Sequence, residues 1–116
     1  MRPRDDSVLL GDMLDYARRA VAAVAHRTRG DLDDDAVLVG ALERFVEVIG
    51  EAANRLSQET RDSAPDMSWR EIIAMRNRLV HGYFAVDRDI LWTVVHDDLP
   101  GLITALEIVI GDGTEP

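Results

Sequence analysis

Residues 75–83 read Met75-Arg76-Asn77-Arg78-Leu79-Val80-His81-Gly82-Tyr83, and how this stretch is turned decides how the whole chain is read. It gathers two arginines, an amide, a histidine and a tyrosine into nine residues. Ser68-Trp69-Arg70-Glu71 precedes it as a capping box, so a helix is predicted from Ser68, with Trp69, Ile72, Ile73 and Leu79 packing inward. Gly82 is the expected left-handed residue that ends it. On such a helix, at about 100° per residue, Arg76 and His81 stand about 140° apart and Arg78 about 160° from Arg76. The pair cannot share one face unaided. Either the helix loosens before Gly82, or the two residues meet a ligand from different sides, or a second chain completes the site.

Outward from this helix the periodicity is helical throughout. Leu10, Leu14, Ala17, Val21 and Val24 make one apolar stripe over about residues 6–27, stopped by Gly30. Asp31 to Asp35 then form a polar connector, with Asp33 or Asp34 as the next cap. Leu38, Leu42, Phe45, Ile49, Ala52 and Leu56 track one face over about 35–59. Gly50 interrupts this helix at a cost of about 1 kcal/mol relative to alanine, which predicts close approach by another backbone, within the chain or from a second one. Thr60 to Met67, with Pro65, reads as a loop. Asp87 caps the last helix, with Val86 and Leu91 as its hydrophobic staple. That helix runs to Gly111, and Pro100 predicts a kink or a restart near Asp98 or Leu99. A disordered tail is expected over 113–116. No strand pattern or internal repeat is visible, and the expected fold is a single all-α domain over 1–116, an antiparallel bundle of four main helices.

Composition narrows the function. A net charge of −9 argues against non-specific coating of nucleic acid, which needs a basic surface. The 13 basic residues are all arginine, and Arg61, Arg70, Arg76, Arg78 and Arg88 fall around the motif, so any phosphate contact is local. No apolar run approaches the roughly 18 residues of a membrane span, and no signal-peptide pattern follows the N-terminus. A cytoplasmic protein without a membrane partner is expected. With no cysteine and three scattered histidines, neither a zinc-ligand pattern nor any cofactor motif is present.

The motif's residue types suit metal-independent cleavage of an RNA phosphodiester. Arginine offers a planar fork to phosphate oxygens and stabilises the added charge of the transition state. Histidine exchanges a proton near neutral pH. Attack by a ribose 2′-hydroxyl needs both a base and an acid; with one motif histidine per chain, a symmetric homodimer would supply two. Asn77 can bind the phosphate or orient His81, and Tyr83 can stack on a base or donate to an oxygen.

With these residues in place the chain resembles HEPN-domain proteins of the HepT type. The family pattern Arg-x4-His-x-Tyr is matched by Arg76, His81 and Tyr83, with Asn77 after the arginine. Gly50-Glu51-Ala52, Trp69, Val86-Asp87, Trp92 and Asp98-Leu99-Pro100-Gly101-Leu102 extend the likeness over roughly residues 8–110. The resemblance implies a homodimeric ribonuclease toxin acting on mRNA or tRNA. Its partner would be a minimal, MntA-like nucleotidyltransferase antitoxin that adenylylates Tyr83 and so closes the site. Arg76, His81 and Asn77 would be catalytic, with Arg78 and Glu51 as supporting candidates and Glu51 contacting Arg76 across the bundle. The rival reading is a non-catalytic module that binds nucleotide, RNA or the nucleotidyltransferase, which the acidic net charge favours.

Other dense positions have plainer readings. His26 is a solvated residue at a helix end, and His96 a surface or interface residue. Glu43, Glu47 and Glu51 recur every four residues as a polar face, and Trp69 and Trp92 read as core or interface anchors.

Overall fold

The computed structural model describes residues 4–65, 67–80 and 87–113. Among them are only helices: α1 (Arg4–Val24), α2 (Asp31–Asp34), α3 (Ala36–Arg55), α4 (Gln58–Asp62), α5 (Trp69–Val80), α6 (Arg88–Trp92) and α7 (Leu99–Gly113). A π-helical segment, Thr93–Asp98, joins α6 to α7 in one continuous path. The long elements α1, α3, α5 and α6–α7 are the four-helix bundle that the periodicities predict.

The core follows from the apolar stripes. Leu10, Met13, Ala17, Ala20 and Val24 of α1 are buried at three- and four-residue steps. Leu42, Val46, Ile49 and Ala53 of α3 answer them, and Leu91, Val95, Leu99 and Leu106 close the third side. Each fully buried leucine contributes about 1.5–3 kcal/mol. Leu14 and Val21, expected on the stripe, lie half-buried at its margin. The helices α1 and α3 are antiparallel: Asp6 at the start of α1 meets Ser57 just beyond α3, and Arg27 just beyond α1 meets Asp35 at the start of α3, 3.4 Å away.

Several boundaries differ from expectation, each for a local reason. The first helix ends at Val24 rather than Arg27, where Arg27 N–H bonds Val24 O in a tight turn. The acidic connector contains the one-turn helix α2, because Leu32 is fully buried and anchors it. Asp35, not Asp33 or Asp34, is the next cap, its carboxylate accepting from Leu38 N–H at 3.0 Å. Arg29 spans this corner to the last helix, 2.6 Å from Asp89 and 3.1 Å from Asp33. Those hydrogen bonds, Asp89's first, raise its pKa above the ordinary arginine value.

The second long helix stops at Arg55, not Glu59. Ser57 caps α4 by accepting from Thr60 N–H at 3.2 Å, so Thr60, expected to open a loop, sits buried in a helix. The reason is Asp6. This carboxylate, 3% exposed, accepts from Ser57 N–H at 3.2 Å, from Ser57 Oγ at 2.5 Å and from Thr60 Oγ1. A buried carboxylate is tolerated only when bonded in this way, and the network fastens the first turn of α1 to the α3–α4 elbow.

Asp87 caps α6 as predicted, accepting from Asp89 and Ile90 N–H groups at 2.9 and 3.2 Å; its staple partner Val86 lies outside the described residues. The restart expected at Pro100 is found, the α-helix beginning again at Leu99 with no gap in the helical path. The chain widens ahead of it into the π segment, with Leu99 N–H reaching back five residues to Val94 O, and the α-helix resumes with Pro100 in its first turn, where its missing N–H costs least. That helix continues past Gly111 to Gly113; the expected tail beyond it lies outside the described residues, as does the turn at Gly82. Among the described residues no helix is long and apolar enough to cross a membrane.

Candidate functional site

Of the motif, Arg76 and Asn77 are placed on α5 with their side chains. His81 and Tyr83 lie outside the described residues, as does the side chain of Arg78. The site is therefore built from Arg76, which is fixed by its contact with α3.

Gly50 is the cause of that contact. A Cβ added there would overlap the Cβ of Arg76 and lie 3.1 Å from its Cγ and Cδ. A close approach is thus made within the chain, but by the stem of the motif arginine and not, as predicted, by a backbone. With its aliphatic part lodged over Gly50, the guanidinium emerges beside Glu51, Nη2 lying 3.5 Å from the carboxylate. Its Nη1 donates to Asn77 Oδ1 over a long 3.4 Å. The inner Nε is buried and has no hydrogen-bond partner among the described residues. About a third of the side chain is exposed. The guanidinium is therefore held at its root and at both Nη groups, in a side chain that stays about a third exposed.

The acids Glu43, Glu47 and Glu51 along α3 each face an arginine. Glu51 pairs with Arg76 at 3.5 Å and Glu47 with Arg44 at 3.8 Å. Glu43 feels Arg88 electrostatically, yet partial burial outweighs that attraction and raises its pKa above the ordinary carboxylate value, with the nearby Glu47 adding to the rise. No cluster of three metal-ligating side chains is present among the described residues.

His96, on the π segment, stacks on Trp92 with ring centroids 4.8 Å apart and planes 16° from parallel. Its Nδ1 lies 2.7 Å from Asp97 Oδ1. It is exposed, consistent with the surface reading. Trp69 is buried and donates from Nε1 to Arg61 O at 3.1 Å, an anchor as expected. Arg61, in turn, has a role that composition does not reveal. Its Nη2 donates to Ala53 O and Asn54 O at 2.9 and 2.8 Å, closing the C-terminus of α3. The Ser57 cap on Thr60 N–H marks the start of α4 in what looked like a loop.

Two cavities flank α5. The larger, about 600 Å³, lies between α5 and the start of α7 and carries Glu71, Asp97 and Asp98 among its lining residues, an unfavourable setting for phosphate. The smaller, about 390 Å³, lies between α4 and α5 and carries Arg61 and Arg70.

An all-helical bundle with an arginine seated across a glycine on the neighbouring helix defines a class of protein, and comparison supplies its family. The family described as ribonuclease HepT-like matches residues 13–109, and the chain belongs to that HepT-like family. A protein of Methanocaldococcus jannaschii provisionally named an RNase is 30% identical over 109 residues, 94% of this chain and 100% of its own length. The probable ribonuclease HepT of Thermococcus cleftensis is 40% identical over 62 residues, 53% of this chain and 56% of that protein. A provisionally named RNase of Caldanaerobacter subterraneus is 39% identical over 72 residues, 62% of this chain and 64% of its own. No solved structure matches the chain significantly.

Proposed function

We propose that this protein is a metal-independent RNA endonuclease whose active site is completed by a second copy of the chain. The observation that carries the reading is the seating of Arg76 over Gly50, its guanidinium held by Glu51 and Asn77 while about a third of the side chain stays exposed. A preorganised cation of this kind stabilises charge that develops in a transition state without first having to be reoriented. The RNase names of the relatives support the same chemistry.

In this mechanism a base removes the proton from a ribose 2′-hydroxyl, and the 2′-oxygen forms a bond to the adjacent phosphorus. The bond from phosphorus to the 5′-oxygen breaks, and an acid protonates that oxygen. The products are a 2′,3′-cyclic phosphate and a free 5′-hydroxyl. His81 of one chain and His81 of its symmetry mate serve as base and acid. Arg76 binds the equatorial oxygens, and Asn77 steadies the phosphate. The Tyr83 hydroxyl, losing its proton, attacks the α-phosphorus of ATP held by a partner nucleotidyltransferase and pyrophosphate leaves; the charge and bulk of the AMP so attached close the site, and the unmodified protein is the toxin of a two-component system.

Purified protein and its His81→Ala variant, incubated with mRNA and tRNA in EDTA, test the reading. Cleavage by the wild type alone is expected, and equal cleavage by both would overturn it. Mass spectrometry after co-expression with a nucleotidyltransferase encoded beside it should show added AMP, absent in Tyr83→Phe.

A further inference from the structure

We propose that the cavity between α4 and α5 is a subsite for single-stranded RNA, where Arg70 binds a phosphate flanking the one that is cut. The inference rests on the nuclease reading above and extends it to how substrate is held.

The cavity, about 390 Å³, is lined by Gln58, Arg61, Asp62, Trp69, Arg70 and Ile73, a size suited to a small ligand such as a nucleotide. Its walls are fixed. Arg61 is tied by Nη2 to the last carbonyls of α3, and Trp69 is tied by Nε1 to Arg61 O. Asp62, the one acid in the lining among the described residues, is engaged by Gln58 Nε2 at 2.8 Å. Arg61 Nε is buried with no hydrogen-bond partner among the described residues, and no carboxylate among them pairs with this guanidinium. Arg70 is exposed, and among the described residues it has neither a hydrogen bond nor an ion pair, whereas Arg18, Arg19, Arg27, Arg29, Arg44 and Arg76 each face a carboxylate.

Placement on α5 links this cavity to the cleavage site. Arg70, Ile73 and Asn77 fall on one stripe: seven residues turn the helix about 700°, within about 20° of two full turns, and advance about 10 Å. A strand with its scissile phosphate at Arg76 and Asn77 can follow the stripe, pass over Ile73 and bring a neighbouring phosphate to Arg70. A cation with no carboxylate partner among the described residues binds such a phosphate without first breaking an ion pair to one of them. The larger cavity on the opposite side of α5, with three carboxylates, repels the same ligand. An acidic protein thereby confines nucleic acid to one track.

The test compares Arg70→Ala with wild type on a dinucleoside monophosphate, which carries only the scissile phosphate, and on a single-stranded octanucleotide. Arg70→Ala should leave dinucleotide cleavage unchanged and lower kcat/KM on the octanucleotide about tenfold. It should also reduce the slope of log affinity against log salt by about 0.7, one single-strand phosphate contact. Arg70→Lys should restore most of the salt slope. Equal length preference and equal salt slope in wild type and Arg70→Ala would overturn the subsite while leaving the nuclease intact. Octanucleotide binding that depends on Arg70 in a wild type that cuts neither substrate would overturn the nuclease reading and keep the subsite. A wild type that neither binds nor cuts overturns both.

Discussion

Gly50 and Arg76 occupy each other's space: the absent side chain of the first is the seat of the second, and an added Cβ would overlap Arg76 Cβ and approach its Cγ and Cδ to 3.1 Å. Helix propensity alone would make Gly50→Ala favourable by about 1 kcal/mol. Overpacking costs about 1–3 kcal/mol, and because Arg76 Cβ is fixed to its backbone it can yield only if α5 moves. Gly50→Ala should therefore lower stability in urea titration and reduce RNA cleavage. An increase in stability would show that α5 shifts away from α3 freely.

Glu51 separates support from stability. Its ion pair with Arg76 is half exposed at 3.5 Å, so Glu51→Gln should change stability by less than about 1 kcal/mol. Its effect on turnover should be larger, a fall of about tenfold, because a guanidinium displaced by even about 1 Å loses much of its advantage. Thermal melts beside kcat measurements give the answer, and unchanged kcat would mean that the seat on Gly50 alone aligns Arg76.

Asp6 is structural. Replacing it by alanine leaves the half-buried Ser57 donors and the buried Thr60 hydroxyl without this acceptor, at about 2–3 kcal/mol. Asp6→Asn, which keeps one acceptor oxygen, should lose less. Denaturant midpoints measured for both variants would expose a network of no consequence if neither moved.

Glu43 gives a pH signature. Burial raises its folded pKa, so the neutral form is favoured in the folded protein; the contribution is fully present below the unfolded pKa and is lost as pH rises through the folded one. Glu43→Gln should thus raise the melting temperature at pH 7, and the gain should vanish near about pH 4 and below. A gain that persists in acid would assign the effect to packing instead of charge.

The helical bundle was legible because its stripes are long and regular, and the use of Gly50 could be anticipated from the cost of a glycine in mid-helix. What escaped the sequence depends on contacts remote along the chain. Asp6 looks like a solvated acid until folding brings it to Ser57 and Thr60, more than fifty residues away. Asp31 to Asp34 look like a linker because a single buried leucine, Leu32, carries the whole signal for α2. Of the candidate site, the contact between Arg76 and Glu51 was foreshadowed by Glu51 following Gly50. The role of Arg61 was not, since closing α3 requires that α4 first turn it back on the carbonyls of Ala53 and Asn54.

The widened turn at Thr93–Asp98 also sets the phase of everything after it. A π turn takes up one residue more than an α turn, so winding the same residues as plain α-helix would rotate α7 by about 100° about its axis. Leu99 and Leu106, now fully buried, would swing away from α1. The π segment is thus a one-residue offset that keeps the two ends of the last helix in register with the same core.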